Sequence, residues 1–546
     1  MKHFLLPLVL ATALLCSAQE KYGEVHFANS GSPAAQAAFL LGLAQLHDFE
    51  YPSAIKNFRQ AESIDPGFAM AYWGEAMSYN HAVWHEEDVA AARAALQKLG
   101  ATPADRLAKA PTEREKDYLR TLDVLYGEGT KQQRDDRWAE AMAELHRKYP
   151  DDVDATAFYA LALLGSCNSG RDFATYMRSA ALLEEVFPAN SNHPGVLHYL
   201  IHSYDDPIHA PLGMRAARRY GEVAADAPHA LHMTSHIFIA MGMWNDVTDA
   251  NQRSMAVADR HRAEHNLGPS RCGHVPSWLE YSLLQQGRFQ EAKTLLDECR
   301  AQAEKSASAA NSDPDPDSSL VASYIDMRTR YIIDDGNRKE TPFNVASMGD
   351  VQVAAQYPIP ARASSWAKLQ YAYGSGIAAY KNGDAKALRV AAAEFKNFAA
   401  TRSGADHMAS MDPNYEKSIE VEQAQLEALL LFLQGKQQEA AQALQKTAAE
   451  ENAMAFEFGP PMIDKPTYEL LGEVLLSLKQ PAEASTALKN ALSRTPGRTN
   501  TLRLLAEAQT STGDTVAAAR TKAKLEMNLS HAQTGENRSA STGNKR

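Results

Sequence analysis

The chain has 546 residues, with 67 acidic and 55 basic side chains, so its formal net charge is −12. This length predicts several domains or a repeat array, and a hydrophobic share of 45% predicts that most of the chain folds. The acidic balance argues against nucleic acid as the main partner, and four cysteines are too few for a disulfide-rich scaffold.

Residues 1–18 have the pattern of a secretory signal peptide. A positive start and an apolar run lead to the small residues Cys16 and Ala18, three and one positions before Gln19. The run is shorter than the roughly 20 residues that cross a bilayer, and no later run approaches that length. We expect cleavage before Gln19 and a periplasmic or secreted protein. Lipid anchoring at Cys16 is the less favoured alternative because Leu15 is bulky.

Two stretches, one near each end of the chain, share one spacing of small, large and proline residues. Successive members are 12, 4, 3 and 5 residues apart in both stretches. The spacing resembles the tetratricopeptide repeat (TPR), a helical hairpin in which small residues let two helices approach and proline ends the second. Looser copies occur between the two. The two sets are Gly42, Ala54, Phe58, Ala61 and Pro66, and Gly472, Ala484, Leu488, Ala491 and Pro496.

The TPR resemblance implies an all-α fold, an α-solenoid of helical hairpins in two segments. A stretch rich in Ser, Asp and Pro separates the segments and predicts a polar loop, and the polar C-terminal residues predict a disordered tail. Of the three cysteines left after cleavage, Cys272 and Cys299 are the expected disulfide pair. The predicted parts are the first segment 19–303, the polar loop 304–319, the second segment 320–529 and the tail 530–546.

Histidine is concentrated in one part of the first segment, where seven of the chain's 18 histidines lie between residues 193 and 236. At about 100° per residue, two imidazoles and a carboxylate share one helical stripe, and three imidazoles share a second stripe. Imidazole pairs four residues apart on two neighbouring helices have the spacing that closes a metal site, and imidazole suits zinc, copper and iron. The predicted metal ligands are His198, His202, Asp205, His232 and His236.

The same stripes are also compatible with a buried hydrogen-bond network, or with a polar groove for an organic ligand. Both alternatives stay open because a lone helical histidine is more often a core or interface residue than a ligand. The TPR resemblance implies that the first helix of each hairpin lines a concave groove. The side chains expected on or near that groove are His47, Asn80, His81, Trp84, His193, His229, His274 and Tyr281.

Four stretches together resemble a group of secreted bacterial TPR proteins without an agreed biochemical role. The resemblance implies a fold and a histidine-lined groove but no reaction, and the sequence has no His-Glu-x-x-His, Walker-type or Gly-x-Ser-x-Gly motif. The stretches are Ala69-Met70-Ala71-Tyr72-Trp73-Gly74, Asn192-His193-Pro194-Gly195, His198-Tyr199-Leu200-Ile201-His202 and His229-Ala230-Leu231-His232-Met233-Thr234-Ser235-His236-Ile237-Phe238.

We therefore expect a secreted binding or scaffold protein. Its groove would take a peptide or protein partner, and its histidines a transition metal such as zinc, copper or iron. One alternative is a metal-dependent enzyme, either a hydrolase or an oxidoreductase that uses oxygen. Another is a groove that responds to pH through its clustered imidazoles.

Overall fold

The computed structural model describes residues 21–307, 320–334, 365–402 and 413–532. The chain divides into two compact units, Met1–Ile237 and Phe238–Arg546. Within the described residues there are 24 α-helices, and the strands comprise only two residues each. The predicted all-α class is therefore confirmed.

The described part of the first unit, from residue 21, has a non-helical segment followed by a series of helices. Its helices are α1 (Gln36–His47), α2 (Tyr51–Ile64), α3 (Ala69–Met77), α4 (Val89–Leu99), α5 (Pro103–Lys109), α6 (Glu113–Leu125), α7 (Lys131–Lys148), α8 (Val153–Gly165), α9 (Phe173–Val186), α10 (Pro194–Tyr204) and α11 (Ala210–Val223). The strands β1 (Asn80–His81) and β2 (Glu86–Glu87) pair antiparallel between α3 and α4. The boundary between the units falls in α12 (Pro228–Ala240).

The regular secondary structure described for the second unit is helical. Its helices are α13 (Trp244–Glu264), α14 (His274–Gln285), α15 (Phe289–Ala307), α16 (Leu320–Asp334), α17 (Ser365–Lys381), α18 (Ala385–Thr401), α19 (Tyr415–Leu433), α20 (Gln437–Asn452), α21 (Thr467–Ser477), α22 (Pro481–Arg494), α23 (Thr499–Ser511) and α24 (Thr515–Leu529).

Small residues of the repeat spacing let neighbouring helices approach. Gly42 of α1 and Gly74 of α3 both face the ring of Phe58 on α2, and a β-carbon at Gly74 would lie 2.3 Å from that ring. Gly472 of α21 faces Leu488 of α22, where a β-carbon would lie 2.5 Å away. The spacing found in the sequence thus corresponds to TPR-type hairpins, as the resemblance implied.

The turn inside a hairpin places one residue in the left-handed conformation. Glycine, which adopts positive φ at little cost, takes this place in five hairpins, with φ between 67° and 84°. In the two hairpins with the clearest repeat spacing, Phe49 (φ 57°) and Lys479 (φ 59°) take it instead. A phenylalanine at positive φ is uncommon and directs attention to what its ring contacts. The five glycines are Gly242, Gly287, Gly383, Gly435 and Gly513.

Several predicted boundaries can be compared with the described residues. Helix α15 continues to Ala307, into the segment predicted as a polar loop. The rest of that loop (308–319), the predicted signal peptide (1–18) and most of the predicted tail (533–546) lie outside the described residues. In the described ranges, no helix combines the length and apolar character that crossing a membrane requires.

The expected disulfide is present in the second unit. Cys272, just before α14, is bonded to Cys299 on α15. Cys167 in the first unit is a half-buried free thiol.

Candidate metal centre

Two helices of the first unit carry the predicted histidine stripes. Both begin at proline, whose fixed φ suits the first turn of a helix. Every residue of α10 is buried, so its histidines face protein instead of bulk water. Helix α10 carries His198 and His202, and α12 carries His229, His232 and His236.

The five imidazoles close into a ring, which we call the histidine ring. Neighbouring ring centroids are 4.9, 5.5, 5.1, 6.2 and 5.0 Å apart around the circle. Four of the side chains are buried, and His229 is partly exposed. The order around the circle is His198, His202, His236, His232, His229 and back to His198.

Hydrogen bonds outside the histidine ring fix the protonated nitrogen of three imidazoles. His198 Nδ1 lies 2.6 Å from the carbonyl oxygen of His47, and His236 Nδ1 lies 3.0 Å from Oδ2 of Asp205. His202 Nδ1 lies 3.4 Å from the same carboxylate oxygen. A carbonyl and a carboxylate only accept, so these Nδ1 atoms donate and the lone pairs lie on Nε2.

Asp205 stays ionised because of its surroundings. Arg171 forms ion pairs with Asp205 and with Asp206, the latter at 3.4 Å. Burial alone would raise the pKa of Asp205, but Arg171 together with His202 and His236 holds it well below its usual range. Asp205 was predicted as a metal ligand, and the structure places it as the common acceptor for the Nδ1 atoms of two ring histidines.

Two pairs of Nε2 atoms approach each other in the histidine ring. The distance is 3.3 Å between His198 and His229, and 3.3 Å between His232 and His236. Burial and neighbouring imidazoles hold the pKa values of His198 and His229 well below the usual value, and burial lowers the pKa of His236 to about 4. These three imidazoles are therefore neutral at pH 7, the form that binds metals.

Aromatic side chains border the histidine ring at its partly exposed member. The centroids of Phe49 and Trp84 lie 5.5 and 5.6 Å from that of His229. Tyr51 lies 5.2 Å from Phe49 and stacks on His81 at 4.0 Å. We call Phe49, Tyr51, His81 and Trp84 the aromatic rim. Two of them, His81 and Trp84, were predicted as groove residues.

Polar atoms without partners lie at or next to the aromatic rim. The side-chain oxygen and nitrogen of Asn80, which precedes His81, are buried and have no hydrogen-bond partner among the described residues. The buried hydroxyl of Tyr51 also has no hydrogen-bond partner within the described part of the chain. Buried polar groups are normally paired, so these atoms are unusual for a protein interior.

Two further predicted groove residues, His47 and His193, form a separate network. Their Nε2 atoms lie 3.0 and 3.3 Å from Oδ1 of Asp154, and His47 Nδ1 lies 3.0 Å from the hydroxyl of Tyr199. His193 Nδ1 accepts the amide proton of Val196 at the start of α10. Burial lowers the pKa of His47 to about 4. Both imidazoles are thus engaged in joining helices, and Asp154 was not among the predicted residues.

The remaining predicted groove residues, His274 and Tyr281, lie on α14 in the second unit. His274 is exposed, and its ring centroid is 5.2 Å from that of Trp278. Tyr281 is buried, and its hydroxyl lies 3.2 Å from Nη1 of Arg498. Tyr281 thus belongs to a buried ion-pair network and does not line an open surface.

Comparison with known proteins yields matches only among solved structures, since no family model and no curated protein matches the chain. The human IFIT1 dimer with m7Gppp-AAAA is 12% identical, with 98% of this chain and 94% of that chain covered and a TM-score of 0.37. The APC/C hetero-tetramer Cut9–Hcn1 is 12% identical, with 92% of this chain and 81% of that chain covered and a TM-score of 0.35. The P58(IPK) TPR domain is 12% identical, with 88% of this chain and 99% of that chain covered and a TM-score of 0.21. Such weak likenesses say nothing about what this chain binds.

Proposed function

We propose that the first unit is a transition-metal-binding module, with the ion held in the histidine ring. The observation that supports it is the pair of 3.3 Å Nε2–Nε2 distances. Metal–imidazole bonds of about 2.0–2.1 Å make the edge of a tetrahedron about 3.3–3.4 Å long, so each pair has the spacing of two ligands on one ion. Zinc, copper and iron are the metals that such a ligand set suits.

The three-imidazole set in the histidine ring is the favoured position for an ion. One nitrogen from each of His198, His202 and His229 lies within 4.8 Å of the others. His232 and His236 complete the ring and supply the second nitrogen pair. Asp205 need not touch the ion, because it receives the Nδ1 proton of His236 and so aims Nε2, as carboxylates behind metal-bound histidines commonly do.

The proposal is tested by elemental analysis of the untagged protein, purified without chelator. We expect at least one equivalent of zinc, copper or iron per chain. His232→Ala combined with His236→Ala should lower the metal content, and so should His198→Ala combined with His229→Ala. His265→Ala, which removes an exposed imidazole of the second unit, serves as the matched control. A protein that contains no metal and takes up none on titration would favour the hydrogen-bond network instead.

An enzyme activity would depend on the metal found. An ion held by three imidazoles keeps a coordination position for water or substrate, which is the arrangement of hydrolytic zinc sites. A redox metal would instead direct assays toward oxygen chemistry. Elemental analysis therefore precedes any assay for hydrolase or oxidoreductase activity.

The aromatic rim favours a second candidate function, the binding of an organic ligand next to the histidine ring. Asn80 offers a buried donor and acceptor, Tyr51 a buried hydroxyl and Trp84 a partly exposed ring face. A peptide or small molecule that pairs with these atoms would account for their lack of partners. Native mass spectrometry of the untagged protein tests this candidate. A bound mass should be present in the wild type and absent in Asn80→Leu, while Asn490→Leu provides a control at an exposed position of the second unit.

We also infer a periplasmic or secreted location. The pattern of residues 1–18 suggests it, and the Cys272–Cys299 disulfide supports it because disulfides persist mainly in oxidising compartments. Alkylation of the protein before reduction, followed by mass analysis, should leave only Cys167 of the described cysteines modified.

A further inference from the structure

The second unit contains a buried network in which acidic and basic groups are matched. Arg498 is fully buried and contacts Asp334 and Glu469, with its Nε 2.8 Å from a Glu469 oxygen. Lys465 lies 2.8 Å from Glu469 and 2.6 Å from Glu473. Each carboxylate in this network has a cation at hydrogen-bond distance.

A neighbouring group of four carboxyl groups, which we call the acidic cluster, is not matched in this way. Its members come from three helices and a loop and lie close enough to influence one another electrostatically. Arg330 of the described residues bonds directly to the cluster, with its Nε 2.9 Å from Asp464. The members are Glu280 on α14, Asp326 on α16, Glu422 on α19 and Asp464 just before α21.

The donors around the acidic cluster leave specific acceptors unused. Gln370 donates to both oxygens of Glu422 at 3.0 Å, and Trp366 donates to Asp326. Glu280 is fully buried, yet neither of its carboxyl oxygens has a hydrogen-bond partner within the described residues. The side-chain oxygen of Gln370 is buried and lacks a donor there as well. The unused atoms are three oxygens, and N–H donors would satisfy them.

We propose that the acidic cluster binds an organic cation, an alkylammonium or guanidinium group that donates to Glu280. Both groups combine positive charge with several N–H donors. Asp326 and Arg330 are partly exposed, so the proposed cation would approach the cluster from their side. The cation comes either from a free amine or from a lysine or arginine side chain of a peptide. This site lies in the second unit and does not depend on the histidine ring.

One observation favours an organic cation over a bare metal ion. Among the described residues, no three of these carboxyl groups bring their oxygens within 4.8 Å of one another, so they do not converge on a single ion. Burial raises the pKa values of Glu280 and Glu422 well above the usual range, so a bound cation must also offset the free-energy cost of ionising them.

Calorimetric titration of the full chain at low salt tests the proposal. The probes are agmatine and cadaverine as free cations, the peptides acetyl-Gly-Arg-Gly-amide and acetyl-Gly-Lys-Gly-amide, and pentanol as a neutral control. We expect one organic cation class to bind at millimolar or lower concentration. Glu280→Gln should weaken binding at least about tenfold, the usual effect of losing a charged hydrogen-bond partner. Glu483→Gln makes the same charge change at an exposed position and should bind as the wild type does.

Binding of the free amines would identify a small organic cation as the ligand, and binding of the peptides would identify a lysine or arginine side chain. Either result supports the proposal if Glu280→Gln weakens the binding. If Glu280→Gln fails to fold, Glu422→Gln takes its place. Binding of calcium or manganese, with none of the organic cations, would show a metal site instead. Absence of binding of every cation to the wild-type chain would overturn the proposal and leave Glu280 as a buried acid.

Discussion

Asp205 is the residue on which the geometry of the histidine ring most depends. Its Oδ2 receives the Nδ1 proton of His236 at 3.0 Å and faces Nδ1 of His202 at 3.4 Å, while Arg171 contacts its other oxygen. One carboxylate thus sets the orientation of two imidazoles that come from different helices. The buried guanidinium of Arg171 pairs with Asp205 and keeps it ionised, so Arg171 also helps to orient the two imidazoles.

Replacing Asp205 by asparagine should impair both metal binding and folding. The amide removes the negative charge that fixes the Nδ1 protons, so we expect metal affinity to fall by about 10–100-fold. Arg171 would lose its closest counter-charge, and the free energy of unfolding should fall by roughly 3–5 kcal/mol, less what Asp206 restores. A competition titration with a chelating dye and urea unfolding measure the two effects.

The control for this variant is Asp151→Asn, which changes an exposed carboxylate of the same unit. It should leave both quantities unchanged. Full metal affinity in Asp205→Asn would show that the imidazoles are oriented by packing alone.

The turn position of Phe49 is predictable from the sequence, but the contacts of its ring are not. The repeat spacing aligns it with the hairpin turns at Gly287 and Gly435, where a left-handed residue is needed. Its ring centroid lies 4.3 Å from that of His198 and 5.5 Å from that of His229. A left-handed phenylalanine is a tertiary feature, and a sequence pattern that treats residues by size and polarity does not reveal it.

At the scale of helices, a glycine fixes the distance between α2 and α3. Because a β-carbon at Gly74 would lie 2.3 Å from the buried ring of Phe58, the two helices pack at a distance that only hydrogen permits. The sequence showed this relation for Gly42 and Phe58 through their spacing within one repeat. It did not show it for Gly74, which belongs to the next repeat.

The variant Gly74→Ala tests this close packing. The added methyl group must displace either Phe58 or α3, so we expect a loss of about 1–3 kcal/mol in the free energy of unfolding despite the better helix propensity of alanine. Gly268→Ala is the matched control, since a β-carbon there meets nothing within 4 Å. Urea unfolding of both variants gives the comparison. Equal stability of the two would mean that Phe58 moves aside without cost.

The histidine stripes were predictable from the sequence because a helix has a fixed angular period. Their closure into a ring was not, because it depends on how α10 and α12 are set against each other after the turn that contains Asp205. Tertiary packing also determines the positions of His193 and His47, which differ from those predicted. Both were expected at a groove, and Asp154, a residue distant in sequence from each, draws them into a separate network.

At the scale of the whole molecule, each unit buries ionisable groups that its fold brings together. The first unit gathers imidazoles around Asp205 and Asp154, and the second buries several carboxyl groups with and without a bonded cation. Within the second unit, the pKa values of carboxyl groups shift in opposite directions in the matched network and in the acidic cluster. Arg498 and Lys465 overcome the effect of burial and hold the pKa of Glu469 well below its usual range, whereas burial raises the pKa of Glu280.

The same substitution should therefore have opposite effects at these two glutamates. A carboxyl with a lowered folded pKa contributes stability that is present above its unfolded pKa of about 4.3 and is lost as the pH falls. Glu469→Gln should then lower the free energy of unfolding by roughly 3–5 kcal/mol at pH 7, because it breaks a buried ion pair, and this loss should shrink below about pH 4.3.

A carboxyl with a raised folded pKa lowers stability increasingly as the pH rises above its unfolded pKa of about 4.3. Glu280→Gln should be stabilising at pH 7 and neutral near pH 4.3 in the absence of a bound cation. Calorimetric melting of both variants between pH 4 and pH 7.5 measures the difference, and effects of the same sign at pH 7 would contradict the division of the second unit into matched and unmatched charges.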